Sequence, residues 1–422
     1  MTLLGLCKKL YPINRSLTGN GVRATLDIIK SLIPIEIKEV KSGTRCFDWT
    51  IPPEWNIYNA FIIDLSTNNV IIDLRNHNLH IVGYSINIDT ILDYEQLVPH
   101  LYYIEDQPEA IPYITSYYSR NWGFCLKYST FKKLDKNSKF KVVIDSNIDE
   151  NGSMTYGELI IPGETSEEIF ISSYICHPQM ANNELSGVAV LTFLAKEIYS
   201  RTNRKYTYRF VLIPETIGSI YYLSLNFKHL KNKVFGGFNI SCVGDERAWG
   251  HLPSRVGNNI SDLISRHVLK NFTNEFVQYT WLDRGSDERQ YCSPGIDLPI
   301  SSISRSKFGT YTEYHTSLDD FNVVTQKGLE DSFNLYMKCL FVFENNCIPK
   351  LKVLCEPQLG KRGLYPNIST KNSGNTVRNM MNFISYCDGE LTLIEIAEKC
   401  GVSFFDVHDF YLKMTKADLI FK

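Results

Sequence analysis

From about residue 126 to residue 345 the chain alternates short apolar runs with segments of helical period, and this alternation limits it to a layered α/β architecture. EEIFISSYIC, YTYRFVLIP, FGGFNISCV and DLPISSISR are apolar enough to be strands covered on both faces. SGVAVLTFLAKEIYSRT, SDLISRHVLKNF and TQKGLEDSFNLYMKCLFVFEN space their apolar residues as amphipathic helices do. Strands that alternate with helices form a sheet with helices on both faces. Ligands of such sheets bind beyond the carboxyl ends of the strands. Chemistry is therefore expected just past the end of each apolar run.

The rest of the chain reads differently. Its 422 residues suggest about two to four domains. The first forty residues read as helix, with GVRATLDIIKSLI stopped by Pro34. Residues 46–125 are rich in Trp, Tyr and Pro; AFIIDLSTNNVIIDL gives two strands around a polar turn at Thr67, Asn68 and Asn69, and LHIVGYSINI continues the β pattern. This predicts a separate β-rich module inserted into a main domain made of 1–45 and 126–350. EPQLGKRGLYPNISTKNSGNTVR, residues 356–378, has the Gly, Pro, Asn and Ser content of a linker. Residues 379–422 carry three short amphipathic segments with Gly401 at a turn, then a wing-like KADLIFK, and read as a winged helix-turn-helix.

Charge and cysteine content narrow the partners. A formal net charge of -2 gives no global pull toward nucleic acid or an anionic membrane. The presumed recognition helix, SFFDVHDFYLKMTK, sets Asp406 and Asp409 against Lys413 and Lys416, so it lacks the net positive face that phosphate contacts need. A protein partner fits it better than DNA. Eleven cysteines, an odd number with no C-x-x-C pair, fit reduced thiols in a cytoplasmic protein. No run is long enough to span a bilayer, and the N-terminal apolar stretch is too short for a signal peptide.

Four segments that follow predicted strands carry the candidate chemistry. In CHPQMANNELSG, His177 and Glu184 can converge across a tight polar turn, an N/O donor pair that zinc favours; helix capping by the same residues is the structural alternative. In IPETIGS, Glu215 ends an apolar strand, where a metallohydrolase needs a carboxylate to accept a proton. In CVGDERAWG, Asp245 follows a strand, although an Asp-led turn explains it as well. In EYHTSLDD, His315 is flanked by hydroxyls and acids, as an oriented metal ligand would be. Together they set His, Glu, Glu, Asp and His in order at successive strand ends.

That order resembles the M28-type zinc aminopeptidases, through His177, NNELSG, PETIGS, VGD and YHTSLDD. The chain is more closely similar to a bacterial family of aminopeptidase-like proteins, often encoded in polysaccharide-biosynthesis clusters. NRSLTGNGVR, SGTRCFDW, PPEWNIYNAFI, NLHIVGYS, IPYITSYYSRNWGFC, GSDERQY and QLGKRGLYP carry that similarity along nearly the whole length. The resemblance implies an M28-like zinc exopeptidase core with an inserted β-rich module and a C-terminal winged helix. It also implies one or two zinc ions held by His177, Glu184, Asp245 and His315, with Glu215 as catalytic base. Two positions depart from the M28 pattern: Asn183 stands where the bridging Asp is expected, which transfers the ligand role to Glu184, and Pro214–Glu215 replaces a Glu-Glu pair. One zinc therefore fits as well as two.

The expected activity is hydrolysis of an amide bond, in a small peptide or on an acylamino sugar. Arg289, in SDERQ, is expected to hold a substrate carboxylate with Asp287 beside it, although a salt bridge from Arg289 to Asp287 or Glu288 is the structural alternative. The other readings are a metal-binding or assembly protein without turnover and a transcriptional regulator acting through the winged helix. A homo-oligomer is compatible with all three.

Overall fold

Strand Glu168–Tyr174 is buried along its whole length and occupies the middle of an eight-stranded mixed sheet. In the computed structural model, which describes residues 1–364 and 371–421, it pairs in parallel with Thr207–Ile213 on one side and Val234–Asn239 on the other. Ile300–Ser304 continues the parallel set beyond Val234–Asn239. Antiparallel strands extend the sheet, Ser153–Ile161 and Glu36–Lys41 at one end and Gly250–Leu252 at the other, where Val277–Gln278 adds a parallel edge. The four parallel strands are the four runs read as doubly covered, because a parallel sheet needs crossover helices on its faces.

The chain leaves Glu168–Tyr174 through helix Ser186–Ser200 and enters the neighbour on one side. It then leaves that neighbour through helix Ile217–Lys233 and enters the neighbour on the other side. The connections diverge at the carboxyl end of the central strand and leave a crevice there, the general ligand position in open α/β sheets. Gly187 lets the first helix start close against the sheet: a Cβ there would lie 2.4 Å from the carbonyl oxygen of Ile240.

Two compact units are present: Met1–Ser261 with Val277–Phe333, and Asp262–Phe276 with Asn334–Lys422. In the first, a four-stranded antiparallel sheet runs in the order Asn69–Asp73, Glu54–Asp64, Lys139–Asp149, Ile88–Asp93. Lys139–Asp149 lies beyond residue 125, so this sheet is not confined to 46–125. Nor is it a body of its own, because Trp55, Ile62, Phe140 and Ile144 share one apolar cluster with Leu17, Val40, Cys176 and Ile217. Of LHIVGYSINI, only the end from Ile88 joins a strand; Asn78–His80 is a 3₁₀ turn. The N-terminal forty residues are two helices, Leu3–Leu10 and Asn20–Lys30, followed by an edge strand.

In the second unit, helices Lys371–Ser385, Leu393–Cys400 and Phe404–Lys416 enclose Phe383, Leu393, Ile396, Phe404, Val407 and Phe410. Gly401 closes the middle helix in the left-handed conformation, φ 65°, which glycine adopts without strain. Leu351 bridges Ile420 in antiparallel fashion, which supplies the wing contact. Helix Lys371–Ser385 begins inside the segment 356–378 read as linker; residues 365–370 of that segment lie outside the described residues. No described helix is long and apolar enough to cross a membrane.

A buried ion cluster ties three of the central strands together. Arg209 donates from Nη1 to Glu158 at 2.6 Å and from Nε and Nη2 to Glu168 at 2.7 and 2.8 Å, all three side chains being less than a tenth exposed. Burial pushes both carboxyls up, but Lys38 and Tyr222 at Glu158 and Arg209 and His229 at Glu168 outweigh it and hold both below the usual range. Replacing Arg209 by Met leaves two buried carboxylates without their main partner, and the expected loss is about 3–5 kcal/mol in urea unfolding at pH 7. The sign with pH follows: carboxyls held low in the folded state stabilise above their unfolded pKa and lose that contribution on acidification. The deficit of Arg209→Met should therefore shrink as pH falls through the glutamate range.

Candidate functional site

The loop after the central strand starts with Cys176 and His177 and turns back through a π-helical turn, Ala181–Leu185, into helix Ser186–Ser200. Single π-turns of this kind recur at functional sites. Asp319 holds the turn, accepting from the backbone N–H of Asn182 at 2.6 Å and of Asn183 at 2.9 Å, and from the Tyr311 hydroxyl at 2.9 Å. Gln179, Thr216, Cys242 and His315 are non-glycine residues with φ of 45°, 64°, 54° and 55°. Left-handed backbone at such residues costs energy and clusters where a site must be shaped.

His177 occupies the crevice, with Glu215 on one side and the ring of His315 on another. His177 is 2% exposed, and its Nε2 lies 3.7 Å from Oε2 of Glu215. The rings of His177 and His315 have centroids 5.4 Å apart. Tyr314 stacks on His315 at 3.9 Å and fixes its plane. Burial opposes a proton on His177, yet Cys176, Glu184 and Glu215 outweigh burial and raise its pKa. Burial and the charge of His177 push His315 down to about 3.

Glu184 lies on the other edge of His177, its Oε2 3.3 Å from the imidazole Nδ1, whereas Asp245 is held apart by the fold. Glu184 is fully buried and spends Oε1 on Arg15 Nε at 2.7 Å and Oε2 on the backbone N–H of His177. Cys176, His177 and Glu184 do offer donor atoms within 4.8 Å of one another. Burial raises the Cys176 thiol to about 11 and its sulfur receives the Glu215 N–H, whereas Glu184 accepts two hydrogen bonds and keeps acceptor capacity on both oxygens. Asp245 accepts from the Ser306 N–H and hydroxyl, the Arg247 N–H and the Asn182 amide at 2.8–3.2 Å. Four donors saturate a carboxylate, so Asp245 has nothing left for a cation.

Asp287 and Arg289 sit beside Glu215. Asp287 accepts from the Thr216 N–H at 2.7 Å and the Ser219 hydroxyl at 2.8 Å through one oxygen, at the start of helix Ile217–Lys233. Its other oxygen is buried without a partner. Burial and the nearby Glu215 push Asp287 up to about 8, and burial likewise raises Glu215. Arg289 makes no ion pair with Asp287 or Glu288; its Nη2 donates to Thr216 Oγ1 at 2.7 Å, and its buried Nε is unpartnered. Asn183 is neutral and accepts from the Tyr174 hydroxyl, so it supplies no bridging charge.

The donor atoms of Cys176, His177 and Glu184 lie within 4.8 Å of one another, an N/O/S set of the kind zinc takes, and Glu215 and His315 flank the imidazole of His177. Sequence reasoning missed Arg15 as the partner of Glu184, and Tyr113, whose ring centroid is 5.2 Å from those of both His177 and His315. The only signal for either was its place in NRSLTGNGVR and IPYITSYYSRNWGFC, two of the segments that carry the family similarity. Arg15→Met should lower stability by about 3–5 kcal/mol in denaturant unfolding, because it leaves Glu184 charged, buried and unpaired. Arg15→Met combined with Glu184→Gln should recover much of that loss.

Comparison with known proteins adds to this geometry. A family described as Domain of unknown function (DUF4910) matches residues 4–346, and a winged helix-turn-helix family matches 347–422. A Clostridium acetobutylicum protein, named for polysaccharide biosynthesis and an aminopeptidase-like domain, is 43% identical over 95% of this chain and 92% of its own. A crystal structure of a protein described as a peptidase from the same organism superposes with a TM-score of 0.93 at 41% identity, covering 99% of this chain and 95% of that one. A zinc aminopeptidase from Bacillus subtilis shares the fold at a TM-score of 0.56 and 11% identity, over 81% of this chain and 95% of that one.

Proposed function

Because the chain belongs to the DUF4910 family and carries an M28-like peptidase fold, we propose that it is a zinc-dependent aminopeptidase-like hydrolase of amide or peptide bonds. The observation that carries this reading is the buried His177 where the strand connections diverge, with Glu215 3.7 Å from its Nε2 and the His315 ring 5.4 Å from its own. Its metal is one zinc held by His177 and His315, with Glu215 beside them. Such an ion would polarise the scissile carbonyl as a Lewis acid.

Glu215 is the proton carrier. Its raised pKa suits a group that takes a proton from the attacking water and passes it to the leaving nitrogen. Asp287 holds the turn that aims Glu215, through the Thr216 N–H. Arg289 offers its unpaired Nε to a charged group of the substrate. The substrate is a small peptide or an acylamino sugar, and the name of the Clostridium relative supports a place near polysaccharide assembly. All eleven cysteines are free and eight are buried, which supports a reducing, cytoplasmic setting.

One observation favours a second reading, a metal-binding assembly protein without turnover: Asn183 offers no charge where a two-metal enzyme needs a bridge. The same experiment separates the two. Purified protein should carry about one zinc per chain by elemental analysis, and His177→Ala and His315→Ala should each strip it. Glu215→Gln should keep the zinc and lose turnover by about 10²–10⁴-fold; a normal rate would remove it as the base. Protons on His177 and Glu215 compete with the cation, so zinc affinity should weaken as the pH is lowered.

The winged helix is proposed as a protein-contact module. Lys413 is already paired with Asp409 at 2.6 Å, which leaves little free charge for phosphates. A filter-binding assay should find no tight, salt-dependent DNA affinity, whereas a steep salt dependence would restore a regulator.

A further inference from the structure

The crevice has a roof that the peptidase core does not supply. Residues 111–117 are pinned across its mouth: the Tyr113 N–H donates to the His315 carbonyl at 2.9 Å, the Ile111 N–H to Ser317 Oγ at 2.9 Å, and the Ser317 N–H to the Ile111 carbonyl at 2.9 Å. Tyr113 thereby lies 5.2 Å, centroid to centroid, from each of the two histidines. Its hydroxyl is 3.4 Å from that of Tyr117. Both tyrosines are only partly buried, so they keep a face toward the opening. Tyr117 is held at φ 35°, a costly conformation for a bulky residue.

The strain is braced from the inserted sheet. Tyr84 meets Tyr117 edge-on at 6.0 Å and stacks on Trp55 at 5.7 Å. The Tyr84 hydroxyl is bonded to Thr18 at 2.7 Å, and Trp55 Nε1 donates to the Ser85 carbonyl at 2.9 Å. A ladder Trp55–Tyr84–Tyr117–Tyr113 thus runs from the sheet to the two histidines. Tyr117 also packs against the apolar cluster of the inserted sheet, so its position is held from two sides. Burial keeps both phenols protonated, hence hydrogen-bond donors.

We propose that Tyr113 and Tyr117 are specificity-determining residues that contact the substrate and admit a compact terminal aminoacyl or acylamino group, excluding longer chains. This inference rests on the reading of the site as a zinc hydrolase. The cover over the reactive groups supports the size limit: His177 is 2% exposed and the Glu215 side chain 20%, with Tyr113 packed against His177.

Steady-state rates on leucinamide, N-acetylglucosamine and tetra-alanine test it, together with zinc content and melting temperature on the same preparations. On whichever single-group probe the wild type prefers, Tyr113→Phe and Tyr117→Phe should each lower kcat/KM by about tenfold, the order of one hydrogen bond to a reacting group, with zinc and melting temperature unchanged. Tyr117→Ala should raise the ratio of kcat/KM for tetra-alanine over that probe about tenfold or more. Tyr58→Ala, at an exposed site, should change neither. If the wild type is active and all three variants keep both rates and their ratio within twofold, this inference alone falls. It also falls if their losses track lost zinc, which would make the tyrosines structural. A wild type inactive on every probe removes the hydrolase reading and this inference with it.

Discussion

An arginine from the N-terminal segment and a glutamate from the turn after the central strand meet in the interior with neither side chain exposed. Charges taken that far from water are tolerated only with a partner of good geometry and with their remaining donors and acceptors occupied. Arg15 meets the first condition through Glu184 and part of the second through the carbonyl of Leu10. Glu184 completes its own set by accepting the N–H of His177. The loop that presents His177 is thereby tied to a segment more than 160 residues earlier in the chain. The N-terminal helices are thus part of the site, and the π-turn and the aim of the imidazole both depend on this pair.

Counting donors around each carboxylate separates scaffold from chemistry. Asp245 receives four donors, Asp319 three, and Glu184 an arginine and a backbone amide. Asp245 is saturated, and all three shape loops through these bonds. Asp287 keeps one oxygen bare, and Glu215 faces an imidazole 3.7 Å away. Burial raises both, so without a cation the pair gathers protons.

The inserted sheet belongs to the same architecture. Its strands share an apolar cluster with the edge of the main sheet and with the start of helix Ile217–Lys233. Its loop is stitched by backbone hydrogen bonds to the segment that carries His315. The core gathers the polar groups, and a loop of the insertion lays Tyr113 against two of them.

Some of this was legible in the residues alone. Period and apolarity mark the four parallel strands and the helices between them, because burial on both faces leaves no polar position to blur the pattern. The rule that ligands lie past strand ends picks out His177, Glu215 and His315, each of which is next to a strand or a strained turn. Neighbouring residues could not be told apart in this way: Glu184 and Asp245 carry the same chemistry as Glu215, and a one-dimensional reading cannot count the donors that will surround each. Strand Lys139–Asp149 alternates as any half-covered strand does, and its partner sheet depends on cross-strand packing with Glu54–Asp64. The sequence by itself determined the layered α/β core and the strand-end location of its reactive groups, since both follow from local period and apolar burial. The tertiary structure alone decided which carboxylates are consumed and which remain free, and that Tyr113 closes over two histidines. Those outcomes depend on contacts between residues far apart in the chain, whose free energies exist only once the segments are brought together.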